Sequence, residues 1–291
     1  MKNLLYKIFV FFALAFSILL LGKGWQLATD GFRIDKIYTR LSPKPNAFTP
    51  PKGLYNILNQ KFYYLDKGCQ TFVFESSDHQ YVLKLIRYHK YRPPFSMHYL
   101  NLCESGKKYR KKREAFRARS QKNALHSYLL SFEKLSTETQ TVYVHLQKSS
   151  FFKAPLTIVD RLGRSYSLDL DEVGFLIQRK GHSLVGSLQE AQKENNIDKT
   201  KVIVHSFFET ITSMYKKGIV NKDYNCIKNA GVIDSKVVEI DLGSFYEQDL
   251  QNPKAFAKEL HIFIKHFRKW GEKHYPEILP ILELEYTLAT Q

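Results

Sequence analysis

The sequence predicts an α+β fold, and three features carry the prediction. Aromatic and β-branched runs separated by turn residues fill 61–88 and 141–180. Apolar residues at helical spacing take over within 105–136 and again beyond 187. A continuous apolar stretch stands apart at the N-terminus. Composition suits a packed body: 44% hydrophobic residues with 14% aromatic are ample for a core, and 291 residues allow one large or two modest domains.

Residues 1–21 open with Lys2 and Lys7 and then run apolar from Ile8 to Leu21, except for Ser17. Counted back to Leu4, the run approaches a membrane span, with Lys7 able to snorkel. An uncleaved single-pass anchor and a cleaved signal segment both fit. No small-x-small cleavage site follows, since the next residues are Gly22-Lys23-Gly24-Trp25. Trp25 suits a headgroup position, and Lys23, Arg33, Lys36 and Arg40 beyond the span favour a cytoplasmic body. Residues 22–52 read as a tether because Pro43, Pro45, Pro50 and Pro51 oppose helix and central strand. The folded body is expected from Gly53.

Three strands follow: Phe62–Leu65, Thr71–Phe74 and Tyr81–Ile86, with turns at Asp66-Lys67-Gly68 and Ser76-Ser77-Asp78. The longest helical candidate, Ser105–Ser136, starts with a dense Lys/Arg run from Lys107 to Lys122. It continues with an apolar stripe of Leu125, Tyr128, Leu129, Phe132 and Leu135. Glu114 falls on the face of that stripe. Strands are expected again at Thr141–Leu146, Leu156–Val159, Ser165–Leu170 and Gly174–Gln178. Helices are expected over Leu188–Ile197, Val202–Tyr215 and Ala255–Trp270, followed by a short apolar tail around Ile278–Leu284.

The stretch from Gly218 to Phe245 holds the most informative pattern. Asp223 follows Ile219-Val220 and shares a polar turn with Asn225 and Asn229. Asp241 follows Val237-Val238-Glu239-Ile240 and precedes Leu242-Gly243. The two apolar runs read as strands joined by a turn, which sets each carboxylate at a strand edge where it can face a cleft and a hard cation.

This layout resembles the catalytic core of the protein-kinase-like fold. Asn221-Lys222-Asp223 resembles a diverged His-Arg-Asp, Asn229 the metal-binding Asn, and Asp241-Leu242-Gly243 the Asp-Phe-Gly element. Val82-Leu83-Lys84 resembles the strand that carries the phosphate-binding lysine, and Gly68 stands alone of the three usual loop glycines. There are departures. Asn replaces His at 221, and Asn229 lies one residue later than the pattern has it, with Lys228 in its place. No Ala-Pro-Glu element follows. The resemblance implies a two-lobed fold with a mainly antiparallel small lobe over 53–180 and a truncated helical large lobe over 181–291. It implies ATP and Mg²⁺ as cofactors, Asp223 as the catalytic residue and Asp241 with Asn229 on the metal. Lys84, Glu114 (as Lys84's partner) and Gly68 would sit at the nucleotide, and Phe175–Gly181 would form the adenine hinge.

Charge limits the partners. Against 44 Lys and Arg stand 28 Asp and Glu, a net of +16, which favours anionic partners. Lys107–Lys122 reads either as a solvated basic face or as a contact for anionic lipid or acidic protein, with nucleic acid ranked below them. The 3 cysteines form no CxxC pair, so neither a zinc site nor a disulfide framework is indicated. Three functions stay open: phosphoryl transfer from ATP, a catalytically impaired pseudokinase acting as an interaction module, and a basic protein binding anionic lipid or nucleic acid.

Overall fold

A computed structural model describes residues 2–39, 48–152 and 154–291. Helix α1 (Lys2–Ala28) is the apolar N-terminal segment. Within it Tyr6–Ala28, 23 residues at mean hydropathy 2.0, is long and apolar enough to cross a membrane, and its apolar window is unburied. The helix thus runs past residue 21. The chain then turns through a 3-10 segment, Ile34–Lys36, and Phe32 and Ile37 are fully buried. Residues 29–39 therefore pack on the body where a tether was expected, because Phe32 docks edge-on against Phe72 and Phe74. Pro43 and Pro45 lie outside the described residues.

After α2 (Leu54–Leu58) come β1 (Phe62–Lys67), β2 (Thr71–Ser76) and β3 (Tyr81–Ile86), close to the expected runs. Two 3-10 segments, Tyr88–Lys90 and Phe95–Leu102, lead into α3 (Glu104–Glu133) and the one-turn α4 (Ser136–Thr139). β4 (Thr141–His145), β5 (Leu156–Val159), β6 (Ser165–Leu168) and β7 (Phe175–Arg179) complete a seven-stranded sheet in the order β4-β7-β3-β2-β1-β5-β6. Only β1 and β5 pair in parallel; the other neighbours are antiparallel.

The pleat gives this sheet two different faces, since successive side chains alternate. Leu83, Leu85, Phe175 and Ile177 join Phe62, Phe72 and Phe74 in an aromatic core on one side. Lys84, Ile86, Leu176 and Gln178 point the other way, where Ile86 and Leu176 join the core of the second half.

That second half starts at β8 (His182–Ser183) and α5 (Leu184–Lys193). Next comes α6 (Ile197–Lys216), opened by Asn196, whose side chain accepts from the Lys199 amide at 2.9 Å. Its stripe of Ile203, Phe207, Ile211 and Met214 is buried as the spacing required. Gly218, at φ +68°, takes the left-handed conformation that ends the helix. The remaining elements are β9 (Ile219–Asn221), α7 (Cys226–Asn229), β10 (Ala230–Ile233), β11 (Lys236–Glu239), β12 (Phe245–Glu247), α8 (Pro253–His274) and α9 (Leu279–Thr290).

Two expectations are corrected here. The runs at 219–220 and 237–240 do not pair with each other. β11 folds back on β10 through Asp234-Ser235, both at positive φ, while β9 pairs with β12. The apolar tail is a twelve-residue helix, α9, that packs on α6 and α8.

Candidate functional site

The site is assembled where the inward face of β3 meets the loops around β9 and β11. Lys84 is 8% exposed, and its ammonium donates to the carbonyl of Ile240, the residue after β11. Burial holds its pKa down to about 8, and the neighbouring Asp241 carboxylate opposes that fall. The sequence keeps this ammonium of the first half and this carboxylate of the second far apart, and the fold closes the gap.

Asn229 ties the acidic loops together. Its carbonyl accepts from the amides of Ile240 (2.6 Å) and Asp241 (3.3 Å), and its Nδ2 donates to the Asp223 carbonyl at 3.4 Å. The one-turn helix α7 takes up the extra residue between Asp223 and Asn229. Asp223 is exposed, with its amide bonded to Asn221 Oδ1 (2.9 Å) and its own Oδ1 accepting from the Asn225 amide (3.0 Å). Asp241 Oδ1 accepts from the Gly243 amide at 3.1 Å. Lys84, Asp223, Asn229 and Asp241 are thus linked through shared backbone and charge.

Glu114 is not part of this group. It accepts from Arg110 Nε at 2.7 Å, one turn back on α3, and no ion pair joins it to Lys84 among the described residues. The reason is where α3 is buried: its inward face is Ala124, Ser127, Tyr128 and Ser131, while the turns around Glu114 are largely exposed. What α3 gives the site is polar and uncharged. Ser127 Oγ donates to the Leu242 carbonyl (2.5 Å) and accepts from the Phe245 amide (2.7 Å).

Gly68 sits in the β1–β2 turn, with its carbonyl held by Arg87 Nη1 at 2.7 Å, while Lys90 holds that of Cys69. The next residue, Gln70, reaches into the site. Its Nε2 donates to the Gly243 carbonyl at 3.2 Å, and its Oε1 accepts from the Tyr128 hydroxyl at 2.9 Å. At the expected hinge, the Arg179 and Lys180 amides donate to the carbonyls of Gln140 (3.0 Å) and Gln80 (2.8 Å).

Sequence reasoning missed Glu239, the fully enclosed acid behind the loop. Its Oε2 accepts from Asn221 Nδ2 at 3.1 Å, and its Oε1 has no partner among the described residues. Burial pushes its pKa up to about 8; the Asn221 bond works against the rise, and the charges of Asp241 and Asp223 add to it. A glutamate inside the run Val-Val-Glu-Ile was the available signal, because a polar residue among β-branched neighbours on a buried strand needs a partner. Gln70, Ser127 and Tyr128 carried no comparable signal.

Among the described residues no group of three or more His, Cys, Asp or Glu side chains is set to hold a metal ion. A magnesium ion needs less from protein, since it keeps waters and takes one or two protein oxygens beside phosphates. Asp241 and Asn229 each keep a side-chain oxygen with no protein donor among the described residues, so this donor set fits such an ion.

No family model matches the sequence, and no curated protein matches it. Among solved structures, the chain is similar to the bifunctional kinase-methyltransferase WbdD. A medium-resolution structure is 16% identical at a TM-score of 0.36, covering 76% of this chain and 42% of that one. A crystal structure of monomeric WbdD is 15% identical at a TM-score of 0.33, covering 87% of this chain and 48% of that one. The match spans less than half the length of either WbdD chain.

Proposed function

We propose that this chain is a two-lobed, kinase-like phosphotransferase that uses ATP with Mg²⁺, anchored by α1 with its body on the cytoplasmic side. The observation that carries this reading is the buried Lys84 ammonium held on the Ile240 carbonyl and within the field of the Asp241 carboxylate. A desolvated cation beside oxygen ligands is what a polyphosphate needs, and an incoming phosphate would restore the charge that burial suppresses. Lys84 would hold the nucleotide phosphates, and Asp241 with Asn229 would hold the metal. The ion, when bound, would neutralise charge on the phosphoryl group. Exposed Asp223 would orient the acceptor hydroxyl and take its proton. The acceptor oxygen then bonds to the γ-phosphorus as the bond to the β,γ-bridging oxygen breaks, releasing ADP. The Asn221 carboxamide, braced by Glu239, fixes the amide of Asp223, so positioning supplies much of the effect.

The test is a thermal-shift titration of the full chain in detergent with ATP, with and without Mg²⁺, beside the Asp241→Ala variant. A ligand that selects the folded state raises its stability. Mg·ATP is expected to raise the midpoint of the wild type and not of the variant. Phosphate release or transfer should fall by about 100-fold or more in the variant, the scale on which a preorganised electrostatic group acts. Equal shifts in both proteins remove Asp241 from the site.

Gln70 favours a second reading, a catalytically impaired interaction module. Its side chain bridges Gly243 and Tyr128, so the turn expected over the phosphates is folded onto the Asp241-Leu242-Gly243 segment. Absence of any nucleotide shift under every metal condition supports this reading over the first.

A further inference from the structure

The first half of α3 is unlike the rest of the body. Tyr109 and Phe116 stand on it 54% and 63% exposed, one above the other at i and i+7, on the side of the helix that is buried only further along, from Ala124. Lys112, Arg113 and Arg119 flank them at helical spacing, and all three are exposed. Arg110 and Arg117, about a quarter turn round the helix, are half-buried, and Arg110 takes up Glu114, the one acid between Ser105 and Phe132. This exposed face is therefore cationic, without a carboxylate of its own to balance it, and it shows two aromatic rings to solvent.

The position of this helix ties it to α1. Arg92 donates to the carbonyls of Tyr38 and Asp35, so the chain leaving α1 is fastened to the chain approaching α3. Two prolines later the 3-10 segment Phe95–Leu102 begins, with Tyr99 64% exposed. That segment is seated tightly on α3: a Cβ at Gly106 would lie 2.2 Å from the Leu100 carbonyl oxygen, so only glycine permits the contact. The basic helix is thus held to the segment through which α1 joins the body.

We propose that this face, Tyr109 and Phe116 with Lys112, Arg113 and Arg119, lies on the anionic phospholipid leaflet from which α1 emerges. Aromatic rings entering the headgroup boundary between basic side chains are the chemistry of a surface-lying helix. α1 supplies proximity, so each basic contact acts at high effective concentration and needs little intrinsic affinity. A body docked in this way keeps a fixed orientation, with its candidate site at a set height above the lipid. The inference rests on α1 spanning the bilayer and not on the phosphotransferase reading.

The test uses the full chain carrying Phe116→Trp, reconstituted in vesicles of brominated phosphatidylcholine with or without phosphatidylserine. Resistance to alkaline extraction reports α1 insertion separately. The fluorescence that the introduced indole adds to that of the wild-type chain is expected to be quenched several-fold more in anionic vesicles, with recovery in high salt. Lys112→Gln with Arg113→Gln and Arg119→Gln should abolish the excess quenching while leaving extraction resistance unchanged. Equal quenching in neutral vesicles, or none in a chain that remains inserted, overturns the docking. Relief of the quenching by added single-stranded RNA would assign the face to nucleic acid and overturns it also. Full extraction at alkaline pH removes its premise.

Discussion

Replacing Glu239 by Gln tests whether a neutral carboxyl lies behind the candidate loop. The group titrates near 4.5 when free, and burial raises it to about 8 in the folded chain. Between those values the folded state holds a proton that the unfolded state has lost. This contribution to stability is therefore fully present below pH 4.5 and is lost as pH rises through about 8. At about 1.4 kcal/mol per pKa unit, the loss between pH 5 and pH 8.5 is about 4 kcal/mol. Lys84 titrates at the top of this window but is common to both proteins, so it cancels in the comparison. Its folded value is depressed from 10.5 to about 8, so the stability it contributes is present above 10.5 and is lost as pH falls towards 8. Gln is isosteric with the protonated acid and can accept from Asn221 Nδ2 as Oε2 does. The variant should match wild type near pH 5 and exceed it at pH 8.5, by roughly 10 °C in thermal midpoint for a chain of this size. Circular dichroism melts of both proteins across that range make the measurement. Parallel profiles would refute the protonated, enclosed carboxyl.

Lys84→Met exchanges a desolvated ammonium for an apolar chain of similar length. The suppressed charge is worth about 3 kcal/mol, and the abandoned Ile240 carbonyl returns about 1–2 kcal/mol of that, so the variant should be modestly more stable in urea melts. It should also lose the Mg·ATP shift, and a variant that keeps the shift excludes Lys84 from the phosphates. Gln70→Ala leaves the Tyr128 hydroxyl without its acceptor and should cost about 1–2 kcal/mol of stability. Isothermal titration should nevertheless show tighter Mg·ATP binding, because the Gly243 carbonyl is uncovered. Weaker binding would mean that Gln70 belongs to the site instead of closing it.

Much of the local structure was legible because it depends on neighbours in sequence. Tyr81–Ile86 is a strand at the expected residues, since a β-branched and aromatic run between turns has few alternatives. The buried stripe of α6 follows from helical period alone. The apolar length of α1 is likewise a property of composition. Pairing was not legible. Ile219-Val220 and Val237-Val238 look like partners, yet each found another, because Asp234-Ser235 makes a tight turn that takes β11 back to β10. Glu114 shared the helical angle of the buried stripe. Which turns of α3 are covered is nevertheless set by the elements packed on it, and apart from Gly106 its buried residues begin at Ala124.

Residue types and their order determined that this chain has strands carrying a lysine, a long basic helix, and two aspartates set in loops. Only the tertiary structure decided that Lys84 reaches the Ile240 carbonyl beside Asp241, that Glu239 is sealed behind Asn221, and that Gln70 covers Gly243. The physical reason is range. Periodicity and turn chemistry act over a few residues, whereas burial, and the pKa shifts that burial causes, depend on surfaces contributed by segments far apart in the chain.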